Sequence, residues 1–457
     1  MIQLRLEKGR GETIVKTAKR LLTSLVIITL FLSLFPKTNF ADDFLNLEGE
    51  SAILIEAETG KILFQKYPDL MLPPASMTKM MTEYLVLEAV AQGKISWEQT
   101  TSISEFVYTI SQFRELSNVP LRKDEQYTVK ELYEAMAIYS ANAATIALTE
   151  LIAGSETNFV KMMNDKAAEM NLPDYKFVNS TGLNNSDLLG QHPQGTDANE
   201  ENMLSARSLA LLAYNLIKDY PEVLDTASIP FKIFREGTSD AIHMPNWNYM
   251  LPGLSQEYAG IDGLKTGMTD LAKNCFTGTA VRDGMRLISV VMKSPTRTSR
   301  FTDTKKIMDY GFSNFTIKEL YGADYQIENA SLLDVVKGKE KTVEIKSTDA
   351  LKIVMKIGEE EFYKPVYYLN EELFTEDNEL TAPINKGDKI GYMTAEYSGK
   401  ESFGFITEAG EKLERVDVVT TADVEKAGWF TLMLRGIGEF FSNIWANIAQ
   451  SISNLFA

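Results

Sequence analysis

Ser76-Met77-Thr78-Lys79 places a hydroxyl and an amine three residues apart at the start of a helix-length segment, Ser76–Gln92. Side chains at i and i+3 project from one helix face, so the two groups come within reach of each other. A serine hydroxyl is a weak nucleophile until a base takes its proton. Lysine can be that base only when burial or a nearby cation lowers its pKa. Alone the spacing carries little weight, because S-x-x-K recurs in helices by chance. Two further groups change that: Ser140-Ala141-Asn142, after the helical stretch Glu131–Tyr139, and Lys265-Thr266-Gly267, where a strand is expected ahead of a hairpin. They add a hydroxyl, an amide and a second ammonium in a fixed order along the chain.

Composition narrows the chemistry from the other side. The 457 residues include two histidines, His192 and His243, and one cysteine, Cys275. Cys₄, Cys₂His₂ and three-His zinc sites are excluded, intrachain disulfides are impossible, and no cofactor is called for. Both histidines are expected on loops or the surface, and Cys275 packed in a strand. With 46 Lys+Arg against 63 Asp+Glu the net charge is −17, which argues against nucleic acid as a partner.

Residues 1–20 carry Arg5, Lys8, Arg10, Lys16, Lys19 and Arg20, and an apolar run from Leu21 to Phe35 follows. That run is shorter than the about 20 residues of a membrane span and fits a signal peptide ending near Ala41. The chain is therefore expected to be exported. Loss of residues 1–41 removes seven Lys and Arg against two Asp and Glu, taking the charge from −17 to −22.

The elements that must position the chemistry follow from pattern. Two short strands from about Ala52 flank Glu58-Thr59-Gly60-Lys61, and Ser76–Gln92 is apolar on most faces, hence buried. Residues 129–153, 156–171 and 203–218 read as helices, and the Asn-, Ser- and Gly-rich stretch 179–200 as a long surface loop. Asn274–Val281 and Met285–Met292 flank Arg282-Asp283-Gly284 as a second hairpin, and Arg300–Phe315 closes the domain as a helix. Strands at both ends with helices between give an α+β domain, one antiparallel sheet covered by helices. The expected organisation is a signal peptide at 1–41, this domain at 42–320, a small β-rich domain at 321–421 acting as a spacer, and an amphipathic helix at 422–457. Phe430, Met433, Leu434, Ile437, Phe441 and Trp445 share an arc of roughly 140° with others of that tail, the pattern of a helix lying in a membrane interface.

The order S-x-x-K, S-x-N, K-T-G resembles the penicillin-binding proteins, in particular the low-molecular-mass D-alanyl-D-alanine carboxypeptidases of the Bacillus type. Leu72-Pro-Pro-Ala-Ser-Met-Thr-Lys-Met-Met-Thr-Glu-Tyr84, Ile138-Tyr-Ser-Ala-Asn-Ala143 and Phe177-Val-Asn-Ser-Thr-Gly-Leu183 are similar to that family's signatures. The resemblance implies a β-lactamase-like fold and an acyl-enzyme on Ser76, formed from peptidoglycan stem peptides ending in D-Ala-D-Ala or from β-lactam antibiotics. It implies Lys79 as base, Ser140 as proton carrier to the leaving amine, and Asn142 orienting Lys79 and the substrate. Lys265 and Thr266 would hold the terminal carboxylate with Arg300 near by, and Lys265 would help keep Lys79 neutral. Gly267 would let the substrate backbone approach, and the N–H groups of Ser76 and Met268 would form the oxyanion hole. Met268 departs from the polar residue some relatives carry there. The chain is expected at the outer face of the cytoplasmic membrane, held by its C-terminal helix. Alternatives of the same fold are a β-lactamase or a transpeptidase, and of another class a non-catalytic wall-binding protein. Glu200 and Glu201 do not form the class A β-lactamase signature.

Overall fold

The computed structural model describes residues 43–400, 402–435, 437–438 and 444–445. The expected signal peptide and most of the expected terminal helix lie outside these residues. The first two strands, β1 (Ser51–Glu56) and β2 (Ile62–Lys66), form a hairpin as the turn signal required. The helices that follow are α1 (Lys79–Ala91), α2 (Val129–Tyr139), α3 (Asn142–Ala153), α4 (Glu156–Glu169) and α5 (Ala206–Asp219). Then come β3 (Ile261–Thr269), β4 (Lys273–Arg282), β5 (Met285–Ser294) and α6 (Ser299–Asn314).

These strands make one antiparallel sheet in the order β2-β1-β5-β4-β3. Alternate residues of a strand face opposite sides, and here both sides are covered. Ile53 and Ile55 of β1 join the core beneath α1, α2 and α5, whereas Ala52 and Leu54 pack with Phe301, Ile307 and Met308 of α6. Burial on both faces explains why β1 reads as an unbroken apolar run. The sheet ends on β3, whose outer edge is free to meet the helical lobe at the segment preceding α1.

Two expectations are corrected. Residues 129–153 are two helices, because Ser140 stops α2 in the left-handed conformation at φ 61° and α3 restarts at Asn142. The start of the 179–200 loop is not surface: Asn179, Ser180, Thr181 and Asn185 are fully buried. Their polarity misled because it is satisfied internally. Asn179 Oδ1 accepts from the Thr181 and Gly182 N–H groups, and Asn202 Oδ1 from those of Val178 and Asn179.

The β-rich region begins with β6 (Phe315–Tyr321), which continues from α6 and pairs with β9 (Leu351–Lys356). Its main sheet contains β7 (Leu332–Val336), β8 (Thr342–Ser347), β10 (Tyr363–Leu369), β11 (Lys389–Tyr397) and β12 (Val416–Thr420), in the order β10-β11-β12-β8-β7, edged by the short strand Leu380–Thr381. It has its own core around Ile345, Ile353, Met393 and Val418. Val424 exchanges backbone hydrogen bonds with Ile384, so residues 422–427 are tied to this domain and helix starts only at Trp429.

Candidate active site

Ser76 sits in a single 3₁₀ turn, Ala75–Thr78, immediately before α1. Its predecessor Ala75 has φ +49°, a conformation that costs a non-glycine residue about 1 kcal/mol or more and that the surrounding contacts must hold. One such contact comes from β3: a Cβ on Gly267 would lie 2.3 Å from the Pro74 carbonyl oxygen. The expectation gave this glycine to substrate approach. The structure adds a different requirement, since only glycine lets β3 lie against the turn that carries Ser76.

Lys79 is fully buried at the first turn of α1. Its Nζ lies 3.1 Å from Ser76 Oγ and donates to Asn142 Oδ1 at 2.7 Å and to the Thr181 carbonyl at 2.6 Å. An ammonium has three donors; a neutral amine has two and a lone pair. Two carbonyl partners take both donors of the neutral form and leave its lone pair toward the serine. Burial is the largest influence on Lys79 and pulls its pKa well below the ordinary lysine value, with the neighbouring Lys265 charge second; Glu83 and Glu156 oppose. Sequence allows either burial or a nearby cation as the cause; both act here, and like-charge repulsion is the smaller.

The S-x-N group lies on the break between α2 and α3. Asn142 is fixed at its own end by Nδ2 donating to the Ser117 carbonyl at 3.1 Å, while Ser140 Oγ is buried without a hydrogen-bond partner among the described residues. Lys265 and Thr266 are buried on the edge strand β3, and burial likewise lowers Lys265, with Glu83 acting to raise it. Arg300 reaches from α6 to donate to the carbonyls of Gly267 and Cys275 at 3.1 and 3.2 Å, leaving its buried Nε without a hydrogen-bond partner among the described residues. Ser76, Ser140, Asn142, Thr266, Met268 and Arg300 all line one cavity of about 300 Å³, with Gly267 in its strand wall. Lys79 and Lys265 stand behind that lining. His192 and His243 are remote from it in role: His192 Nδ1 meets Thr196 Oγ1, and His243 lies exposed in the short strand Ile242–Pro245.

Four contributors were missed from sequence. The Thr181 carbonyl and Glu83 lie within the signature-like segments Phe177–Leu183 and Leu72–Tyr84, yet nothing in the sequence of those segments gives either one a role. Trp247 stacks on Tyr139 at 5.8 Å and donates to the Tyr139 carbonyl at 3.0 Å, bracing the residue before Ser140. Ser117 receives the Asn142 amide from a loop 25 residues upstream.

A free-edged strand, a strained serine turn and a buried lysine under a helix-covered antiparallel sheet define the penicillin-binding class of serine peptidase folds. Residues 37–296 match the family model described as D-alanyl-D-alanine carboxypeptidase, and residues 315–426 that of the penicillin-binding protein 5 C-terminal domain. The chain belongs to the D-alanyl-D-alanine carboxypeptidase family. It is 33% identical to the D-alanyl-D-alanine carboxypeptidase DacF of Bacillus subtilis over 92% of this chain and 99% of that one. It is 29% identical to DacC of Escherichia coli over 90% and 94%. Among solved structures, a peptidoglycan synthesis regulatory factor (PBP3) from Streptococcus pneumoniae superposes with TM-score 0.67 at 35% identity, covering 82% of this chain and 99% of that one. Penicillin binding protein 5 from Haemophilus influenzae gives 0.64 at 29%, covering 83% and 98%.

Proposed function

We propose that this protein is a serine D-Ala-D-Ala carboxypeptidase acting on peptidoglycan stem peptides. The observation that carries the reading is the Lys79 amine, buried, its two donors engaged, 3.1 Å from Ser76 Oγ. A peptide ending in D-Ala-D-Ala lies along the free edge of β3, adding a strand by main-chain hydrogen bonds. Its carboxylate meets Lys265 and Thr266 backed by Arg300. Ser76 Oγ attacks the carbonyl carbon of the last peptide bond as Lys79 takes the hydroxyl proton, and the N–H groups of Ser76 and Met268 hold the oxyanion. Ser140 relays that proton from Lys79 to the departing nitrogen, so the C–N bond breaks to release D-alanine and leave an ester on Ser76. Water then hydrolyses the ester and returns the proton to Ser76. A β-lactam acylates the same oxygen by ring opening and stays attached because its leaving nitrogen is tethered.

We assign residues 42–314 to the peptidase domain and 315–427 to the β-rich support, a few residues from the boundaries at 320 and 421 expected from sequence, with export directed by residues 1–41. The tail holds the enzyme at the outer face of the cytoplasmic membrane. Supporting this, Trp429, Phe430 and Leu434 at its start are 75%, 55% and 52% exposed rather than docked on the protein's own core.

Fluorescent penicillin and a D-Ala-D-Ala peptide test the reading together. Purified protein is expected to become covalently labelled and to release free D-alanine, with both lost in a folded Ser76→Ala variant. A folded wild type that takes no label, or that yields only cross-linked product, sinks it.

A further inference from the structure

Glu83 stands one helical turn beyond Lys79 on α1 and is 3% exposed, yet the chemistry above gives it no task. Its Oε1 is buried without a partner, and the carboxyl makes no hydrogen bond or ion pair with any described residue. Isolating a carboxylate from water is unfavourable, so a structure keeps one only where something offsets that cost. The groups that face it show what does. Lys79 lies on its own helix and Lys265 across from it on β3, while Tyr133 of α2 presents a buried hydroxyl with no hydrogen-bond partner among the described residues. Glu156 of α4 faces Lys79 from another side, its Oε1 held by the Ser180 N–H and hydroxyl, and Arg300 of α6 faces Lys265. Lys265 itself makes no hydrogen bond or ion pair among the described residues.

We propose that Glu83 is a positioning residue: the buried counter-charge that keeps Lys265 protonated for a substrate carboxylate while Lys79 beside it stays neutral. The inference rests on the acyl-enzyme reading above, which needs the two lysines in opposite states of charge. Burial alone drives both toward neutrality. Arg300 adds to that pressure on Lys265, and Glu83 is the group that acts against it. A charged Lys265 then repels a proton from Lys79. Glu83 acts through Lys265 and touches no reacting atom.

The signs give a distinctive test. Acylation rises with pH as Lys79 loses its proton and falls as Lys265 loses its own, so its profile is bell-shaped. Removing the Glu83 charge makes Lys265 easier to deprotonate, and the alkaline limb is expected to move to lower pH by on the order of one unit. The acid limb moves less, because burial raises Glu83's own pKa and leaves it partly protonated there. The profile therefore narrows. The measurement is the rate of fluorescent-penicillin acylation against pH for the full-length wild type, Glu83→Gln, Glu83→Met and Glu83→Asp. Gln and Met have similar volume and no charge, so either one that folds must shift the limb, and Asp must restore it. A neutral variant whose profile is lowered evenly, with its alkaline limb in place, overturns the role of Glu83 alone. A wild type that takes no label at any pH overturns the acyl-enzyme reading as well.

Discussion

Ser140 combines two features that stability alone would select against. Its backbone is left-handed at φ 61°, and its hydroxyl is buried with no hydrogen-bond partner among the described residues. Strain of this kind persists where the surroundings over-determine it and tends to collect at functional sites. Removing a hydroxyl that makes no bond loses nothing in the resting protein, and alanine inherits the same backbone strain. Ser140→Ala is therefore expected to keep its melting temperature to within about 1 kcal/mol of stability while penicillin acylation falls by about 10²–10⁴-fold. Calorimetry beside a labelling time course decides it, and a variant that loses stability but acylates normally would contradict the role. The residue scale is where sequence was most informative. The seven residues of the three motifs, with Met268 and Arg300, fall in or directly behind one cavity. Glu83 escaped because a carboxylate in a helix read as buried on most faces gives no sign of which groups it meets inside.

Single elements do less than the loop that joins them. The segment Phe177–Leu183 supplies the carbonyl that fixes Lys79, yet its Asn, Ser and Thr composition reads as solvent-facing. Local polarity predicts exposure only while those side chains bond to water, and here they bond to each other and to Asn202. Helix α2 posed the complementary problem: apolar periodicity runs through Ser140 into α3, so pattern alone joins what a left-handed residue divides. The loop is bound to the nucleophile turn at Gly182, where φ is +78° and an added Cβ would stand 1.9 Å from the Ala75 carbonyl oxygen. Gly182→Ala is expected to lose about 3 kcal/mol or more, from left-handed strain and from collision with backbone that cannot yield without moving Ser76. Gly190→Ala is the control: φ is +75° but nothing lies within 4 Å, so it meets the strain alone, about 1–2 kcal/mol. Urea unfolding of the pair checks this. Equal losses would show that the loop does not buttress the serine turn.

At the scale of the molecule, the two ends of the five-stranded sheet have separate duties. The edge strand β3 faces the site, and the opposite edge, β2, receives the β-rich domain. There the Gly60 carbonyl accepts from Ile406 N–H, Ile62 N–H donates to the Gly404 carbonyl, and Lys61 pairs with Glu414 at 2.8 Å, a largely buried ion pair. Support is thus attached as far from the substrate edge as the sheet allows. At its far end the β-rich domain ties down residues up to Ala427, and Arg435 donates to the Gly338 and Lys339 carbonyls. Helix direction is set there while Trp429, Phe430 and Leu434 stay exposed. A tail that carries one Arg and one Glu after Trp429 can hold a bilayer only through apolar area, which salt does not screen. Cutting at residue 422, the boundary suggested by sequence, would also remove Val424 from the β-rich core, so the clean truncation ends at Gly428. In fractionated cells the full chain is expected to remain with membranes through a high-salt wash, and the 1–428 chain to appear in the soluble fraction with its penicillin labelling intact. Release of the full chain by salt would make the attachment electrostatic. A truncated chain that still sediments would move the anchor to the other end of the molecule.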